Sequence, residues 1–509
     1  MECGNFHQRL DMRFAKIISM AVLPMFFIAC SDENSSFDVT KPQGETQPQD
    51  STKIEAPPNE EIVKPIERDY SLVWSGNGTA EDPYLISNEE DLAKIEFYVS
   101  DSSMTFKDTY FKQTADIALV NPWKPIGIFG KNAYGYGNRV FSGIYDGDNK
   151  KISGLVINDT ASYSGLFGLT RGAHISNVVL VGAKIGVGSN AGALAGKMDS
   201  TTVENCVLEN IEITGKDRVG GLVGEASHVN VSNVAVSGVV KGENSVGGIV
   251  GRLLDGSFEN LVNKADVSGK STVGGVAGSF AITVKSEEAV ASNIGFIHDV
   301  LNYGSVSGTS NVAGVIASLS SAKADRVGNY GSVAGDEGIT SNVAGVFAEA
   351  SNKSVVNEAF NMGTVTSKKA MATGGVFGSL KNSTGKNVFN LGELSGQASN
   401  MGGIAGIIDG VEALLESGYN AGVVPNDNNS GTVAGKVSST VTVTNVFYDK
   451  TVGAGCLVVA NQMDMVLPTG YATEEMKAAT FVTTLNGAGT AWTVDPTKFN
   501  GYPSFSWIK

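Results

Sequence analysis

The chain has 509 residues with a net charge of -15; 17% of residues are charged, 8% are aromatic and 63 are glycine. This acidic balance excludes nucleic acid as a partner, because phosphate binding needs clustered Lys and Arg, and it fits a soluble acidic surface. The length alone would allow several domains, but an internal repeat takes precedence over length.

In chain order, residues 1–29 read as a signal peptide. Arg13 and Lys16 form a basic start, and the apolar run Ile17–Ala29 is too short to span a bilayer. Met12 offers an alternative initiator directly before Arg13. The segment "FIAC", Phe27–Cys30, resembles the lipobox of bacterial lipoproteins, with Phe27 where Leu is usual. "SDEN" after it is similar to the surface-export tag of certain Gram-negative lipoproteins. The resemblance implies lipidation at Cys30, a membrane partner, and a place on the extracellular face of the outer membrane. Acyl chains contribute about 0.8 kcal/mol per buried CH₂, so they can anchor a protein without a transmembrane helix.

Residues 30–69, with "KPQGETQPQDSTKIEAPPNEEIVKPIE", are too polar and too rich in Pro, Gln and Glu to bury a core. They read as a disordered tether spanning roughly 30–40 Å. Residues 70–160 hold an N-terminal cap and first coils. There Ser87 and Glu90 have capping-box spacing, and Leu92, Ile95 and Val99 share one helical face.

From 161 to 455 a short motif returns at most spacings of 27 to 31 residues: "SGLFG" at Gly165, "AGALAG" at Gly192, "GGLVG" at Gly221, "GGIVG" at Gly248 and "GGVAG" at Gly275. It continues as "AGVIA" at Gly314, "AGVFA" at Gly345, "GGVFG" at Gly375, "GGIAG" at Gly403 and "GTVAG" at Gly431. Apolar residues alternate within a unit, as in Val229–Val240, between Gly, Ser and Asn turns. This pattern predicts an all-β fold, a right-handed parallel β-helix of about ten rungs with short helical caps at both ends. Glycine is expected at the corners for positive φ and for close approach of the next rung.

A second column, Asn263, Asn302, Asn329, Asn361, Asn390 and Asn420, predicts an asparagine ladder. Between Gly275 and Asn302 about a dozen extra residues predict a loop or short helix over Ala281–Phe296. Residues 456–509 form the C-terminal cap, with one helix expected from Thr473 to Gly487 and an aromatic tail.

The cores "GGLVG" and "GGIVG", the opening "GNGTAEDPYLISNEEDLAKI", the segments "FKQTADIALVNPWKPIG" and "FSGIYDGDNKKISGL", and the ending "NGYPSF" resemble GLUG-motif bacterial surface proteins. That motif also occurs in the non-catalytic part of some immunoglobulin A peptidases. The resemblance implies a cell-surface β-helix with adhesion as its role.

Catalytic patterns are not met in the sequence. The His-Glu-x-x-His zinc site of those peptidases is missing, and His174, His228 and His298 have unrelated repeat offsets. "SGKST" at Ser268–Thr272 has Lys264 where a phosphate-binding loop needs glycine, and Glu225, Arg252 and Ser279 stand where a calcium β-roll needs aspartate. The expectation is therefore a non-enzyme without cofactor or metal, with no bridge between Cys206 and Cys456. A host protein or glycan is the expected ligand. A structural spacer and a β-helical polysaccharide lyase or hydrolase are the alternatives. The candidate contact residues are Tyr134 and Tyr136 in "NAYGYGN", Lys285, Glu287 and Glu288 in the insertion, and Tyr303 and Tyr330 after ladder asparagines.

Overall fold

The computed structural model describes residues 74–132, 135–158, 162–186, 188–283, 295–336, 340–461 and 465–508. The signal segment, Cys30, the tether, Tyr134, Lys285, Glu287 and Glu288 lie outside the described residues.

Among the described residues forty strands join in one continuous parallel sheet, wound as a β-solenoid of about 12 turns. The count exceeds the ten motif copies because the coil begins before the first motif: Tyr84–Ile86 pairs with Tyr110–Gln113, and that strand pairs with Ile144–Asp146. One turn shows how the sequence makes the coil. Asp217–Gly220 and Val223–Ser227 are separated by Gly221–Leu222, and Asn230–Lys241 completes the circuit. Each of these strands pairs in parallel register with its counterpart 27 residues on, so Val223 meets Val250 and Val231 meets Phe258. Leu222 and Val223 are both fully buried, as are Ile249 and Val250 below them. Stacking turns therefore extends a single core that no turn could form alone.

The corner glycines serve one of the two expected purposes, the close approach of the next turn, and not the other, positive φ. Gly221, Gly248, Gly275, Gly314, Gly345, Gly375 and Gly403 are not among the residues with positive φ. What they supply is room: a Cβ on Gly248 would lie 2.1 Å from the Gly275 carbonyl oxygen and 2.4 Å from the Asn263 amide carbon. The same pair of neighbours, the next turn's carbonyl and the same turn's asparagine, recurs around Gly275, Gly314 and Gly345. The left-handed corners are filled instead by side chains: Asn205, Asn233, Asn260, Asp299, Arg326, Glu358, Asn387, Ser417 and Asn445 in one column, all with φ between 45° and 60°. Asparagine tolerates that region through local hydrogen bonding. Gly431 pairs with Gly402, so Thr432 stands in the place of Gly403, one turn past the end of the ladder.

The asparagine ladder is present and saturated. Asn263 Nδ2 donates to Asn302 Oδ1, Asn302 to Asn329, Asn329 to Asn361, Asn361 to Asn390 and Asn390 to Asn420, each at 2.8 Å. Each Nδ2 also donates to a backbone carbonyl two residues on, Ala265, Gly304, Gly331, Gly363, Gly392 or Gly422. None of the six amides is more than 2% exposed. A buried amide left unpaired costs roughly 1–3 kcal/mol, and here the neighbours supply the partners in every turn.

At the front, α1 spans Glu89–Ser100 with Leu92, Ile95 and Val99 buried on its inner face. Its N-cap is Asn88, whose Oδ1 accepts from Asp91 N at 2.9 Å, and Ser87 Oγ donates to the Asp91 carboxylate at 2.8 Å. The cap thus falls one residue later than the capping-box spacing predicts. At the insertion, one strand ends at Ala281 and the next begins at Phe296 with Ser257 opposite Phe296, so the register is continuous across it, and the loop or short helix expected there lies largely outside the described residues.

The C-terminal segment differs from the expected single helix. It holds α2, Thr473–Met476, and α3, Ala479–Asn486, separated at Lys477–Ala478. Thr473 does not cap: its hydroxyl donates to Asp449 Oδ2 at 2.7 Å, and Glu475 accepts from Ala472 N at 2.6 Å. The segment lies along the flank of the coil, over an outward column made by Phe360, Phe389, Tyr419 and Phe447. Phe360 stacks on Phe389 at 5.3 Å and Phe389 on Tyr419 at 5.4 Å, and Phe481, Trp492, Tyr502 and Phe505 cover them. Polar ties fix the cover: Tyr419 Oη donates to Pro503 O at 2.5 Å, Trp492 Nε1 to Asn387 Oδ1 at 3.2 Å, and Tyr502 Oη to Asp449 Oδ2 at 2.7 Å. Burial raises the Asp449 carboxyl, but the Tyr502 and Thr473 hydroxyls and two backbone N–H groups hold it below the ordinary range.

Under this cover Glu358 is half-buried beside Asp325, and burial first and that neighbouring charge second push its carboxyl up. A raised carboxyl means that the native state holds the proton more tightly than the unfolded chain, so its contribution is present at low pH and is lost as pH rises through the folded value. Glu358→Gln is therefore expected to stabilise the protein at pH 7, by no more than about 1 kcal/mol after solvent screening, with a matching rise in the thermal midpoint, and to give no gain at pH 4. Thermal scans of the two proteins at both pH values check the sign.

Candidate ligand-binding surfaces

Two outward surfaces of the coil gather exposed aromatic side chains. The first follows from the asparagine column. Because Asn302 and Asn329 point inward, the residues after them point out, and register places Tyr303 and Tyr330 in successive turns. Their rings stack at 4.8 Å with planes 3° apart, the spacing of the turns themselves. Tyr303 is 46% exposed; Tyr330 is half-buried and meets Phe360 edge-on at 5.3 Å. Burial, with Tyr303 as a secondary cause, pushes the Tyr330 phenol up to about 12, so it stays a neutral donor at physiological pH. Stacking occupies one face of each ring, which leaves edges and hydroxyls for contact.

The second surface lies beside a projecting hairpin. Ile128–Asn132 and Gly135–Arg139 pair antiparallel, away from the parallel coil. This is the "NAYGYGN" segment, and Tyr136 stands opposite Lys131 on it. At its base Phe129, Tyr163, Leu169, Arg171, Lys197, Asp199, Ser227 and His228 line an open groove of about 330 Å³. Phe129 is 57% exposed, and its ring lies 6.1 Å from that of Tyr163 at a 60° tilt. The floor is set by register: Arg171, Asp199 and Ser227 occupy one position in three successive turns. Arg171 Nε donates to Asp199 Oδ2 at 3.0 Å, His228 Nδ1 lies 3.6 Å from the other Asp199 oxygen, and Lys197 Nζ donates to Glu225 Oε1 at 2.7 Å.

The histidines fall in separate places. His174 meets Glu204 at 2.5 Å, His228 lines the groove, and His298 sits between Asp299 and Asp325 at 3.1 and 3.2 Å while stacking on Phe296. Among the described residues no group of three or more His, Cys, Asp or Glu side chains has metal-binding geometry. Cys206 is buried, which pushes its thiol up to about 12, and Cys456 is part-buried near the last turns. No described helix is long and apolar enough to cross a membrane.

Sequence reasoning paired Tyr303 with Tyr330 but missed Phe129 and Tyr163. Phe129 precedes the aromatic loop it had marked. Tyr163 carries a signal that periodicity does not score: it occupies the left-handed corner that Asn190, Arg218, Ser245 and Thr272 hold in later turns, with φ of 71°.

No family model matches the chain. It is 28% identical over 176 residues to halomucin of Haloquadratum walsbyi, a match covering 33% of this chain and 2% of that protein. It is 29% identical over 209 residues to a protein of Evansella cellulosilytica named "Putative Gly-rich membrane protein", covering 33% of this chain and 23% of the other. The chain thus spans less than a quarter of the length of either relative. Among solved structures, a "putative immunoglobulin A1 protease" from Bacteroides ovatus is 18% identical, over 85% of this chain and 95% of that one, with a TM-score of 0.29.

Proposed function

We propose that this chain is a surface lipoprotein of the GLUG-repeat type, anchored at Cys30 on the extracellular face of the outer membrane, whose solenoid binds host proteins or glycans without a catalytic centre of its own. The observation that carries the binding reading is the display of aromatic side chains on a rigid wall: Tyr303 and Tyr330 stack outward from turns locked by the buried amides of Asn302 and Asn329. Exposed aromatic side chains fixed at low entropic cost are favoured contact groups in recognition. The saturated amide column also supports a second reading, a stiff spacer that holds other components off the membrane.

Full-length protein purified in detergent, screened on arrays of host glycans, mucins and matrix proteins, is expected to bind at least one class, with weaker signal for Tyr303→Ala. A blank array overturns binding and favours the spacer. Labelling of cells with a fatty-acid analogue is expected to mark the wild type and not Cys30→Ser; equal labelling overturns the anchor.

A further inference from the structure

We infer that the groove at the base of the 128–139 hairpin is a binding site for a carboxylate-bearing sugar, a uronic-acid-type residue, whose ring rests on Phe129 and Tyr163 and whose carboxylate meets Arg171. The inference rests on the binding reading above and assigns it a second place and a ligand class.

An aromatic residue stands at Tyr163 where the backbone disfavours one. The corner column that begins at Tyr163 is left-handed in turn after turn, and Asn190, Arg218, Ser245, Thr272 and Asn311 fill it later with φ of 46–56°. A bulky side chain in that region is strained, whereas asparagine is tolerated there. Tyr163 gains no core packing in return, since it is only half-buried and faces the groove beside Phe129. The backbone beneath it is held tightly: a Cβ on Gly196 would lie 2.3 Å from the Tyr163 carbonyl carbon. The strained ring is thus fixed in place, tilted 60° to a phenylalanine that is 57% exposed. Two tilted aromatic faces at an open groove suit the apolar face of a pyranose ring.

Charge at the groove favours an anionic sugar. In a chain of net charge -15, the groove lining carries Arg171 and Lys197 against Asp199 alone. Among the described residues Arg171 spends its Nε on Asp199, and its side chain is 55% exposed, so the outer edge of the guanidinium faces solvent. That edge is shaped for two parallel hydrogen bonds to a carboxylate. Glu225, outside the lining, holds Lys197 at 2.7 Å and keeps it at the groove wall. Asp199 and Ser227 supply an acceptor and a donor for ring hydroxyls, and the 330 Å³ volume admits one or two sugar rings.

The test uses full-length protein in detergent, with methyl β-D-glucuronide and methyl β-D-glucoside as probes, read by saturation-transfer NMR and calorimetry. The glucuronide is expected to bind at least about tenfold more tightly than the glucoside. Arg171→Gln should erase that preference, and Phe129→Ala should weaken both sugars about tenfold. Tyr163→Asn gives the sharpest readout: binding falls while the thermal midpoint stays level or rises, because asparagine suits the left-handed corner. Equal affinity for the two sugars, no saturation by either, or binding unchanged in Tyr163→Asn overturns the assignment. These failures are separable from those of the general reading: equal affinity for the two sugars with array binding retained sinks the groove and leaves the binding role intact, whereas a blank array sinks both.

Discussion

Replacing Asn329 with alanine is expected to cost on the order of 4 kcal/mol, far above the usual effect of a polar-to-alanine change. Asn329 sits mid-ladder and fully buried. Its removal leaves one N–H of Asn302 Nδ2 without its acceptor, Asn361 Oδ1 without its side-chain donor, and the Gly331 carbonyl without the Asn329 amide. Each orphaned group costs roughly 1–3 kcal/mol in a place water cannot reach. The ladder has a direction, since every amide donates toward the C-terminus, and that makes the prediction sharper. Val236 is the residue in register before Asn263, and it fits there because Asn263 Oδ1 accepts from the Ala265 N–H and needs no donor from the preceding turn. Asn263→Ala therefore breaks one inter-turn bond where Asn329→Ala breaks two, and it should cost about half as much. Urea midpoints together with amide exchange across residues 295–365 check this order, because solenoids open locally and a single global midpoint can miss a local loss. Equal costs at the two positions would mean that the ladder is not what holds the turns.

Gly314→Ala is expected to be among the most damaging small substitutions in the coil, above about 4 kcal/mol or blocking folding outright. The added Cβ would stand 2.1 Å from the Gly345 carbonyl oxygen and 2.3 Å from the Asn329 amide carbon. Backbone on one side and a hydrogen-bonded amide on the other leave nothing free to move aside. Gly172→Ala is the control: Gly172 has φ of 64° with no heavy atom near its Cβ position, so only the conformational cost remains, about 1 kcal/mol. Soluble yield and thermal midpoints of the two variants should separate widely. In the double variant Gly314→Ala with Asn329→Ala the combined loss should fall short of the sum, because removing the amide clears one of the two obstructions. The carbonyl obstruction persists, so rescue is partial. Strict additivity would show that glycine and asparagine are independent columns rather than a fitted pair.

That pairing shows where sequence and structure part company. The glycine and asparagine columns stand out in the sequence because each recurs at the period of one turn, and both readings placed them inside a stacked β-coil. At the glycines the close approach of the next turn was legible, and their fit to the asparagines lay out of reach. Positive φ belongs to Asn233, Asn260 and their column, while the glycines serve as seats for amides 15 to 17 residues ahead in the same turn, or 27 ahead at Gly275, where the insertion intervenes. Such a contact is long-range, and local propensity carries no trace of it. Tyr303 and Tyr330 were legible because register alone sets them side by side. Phe129 and Tyr163 were not, because one stands on a hairpin that leaves the coil and the other on a corner of it, and only folding brings them to one groove.

The sequence by itself determined the repeat, the all-β character, the buried amide column and the place where the repeat spacing is interrupted, since each depends on a pattern that recurs turn by turn. Tertiary structure alone decided what the outward faces do. Phe360, Phe389 and Tyr419 recur at the repeat spacing just as Tyr303 and Tyr330 do, yet the first group is buried under the C-terminal segment and Tyr303 stands in solvent. The physical reason is that alternation fixes which side of a strand a residue faces, whereas burial on the outer side depends on where a distant segment comes to rest.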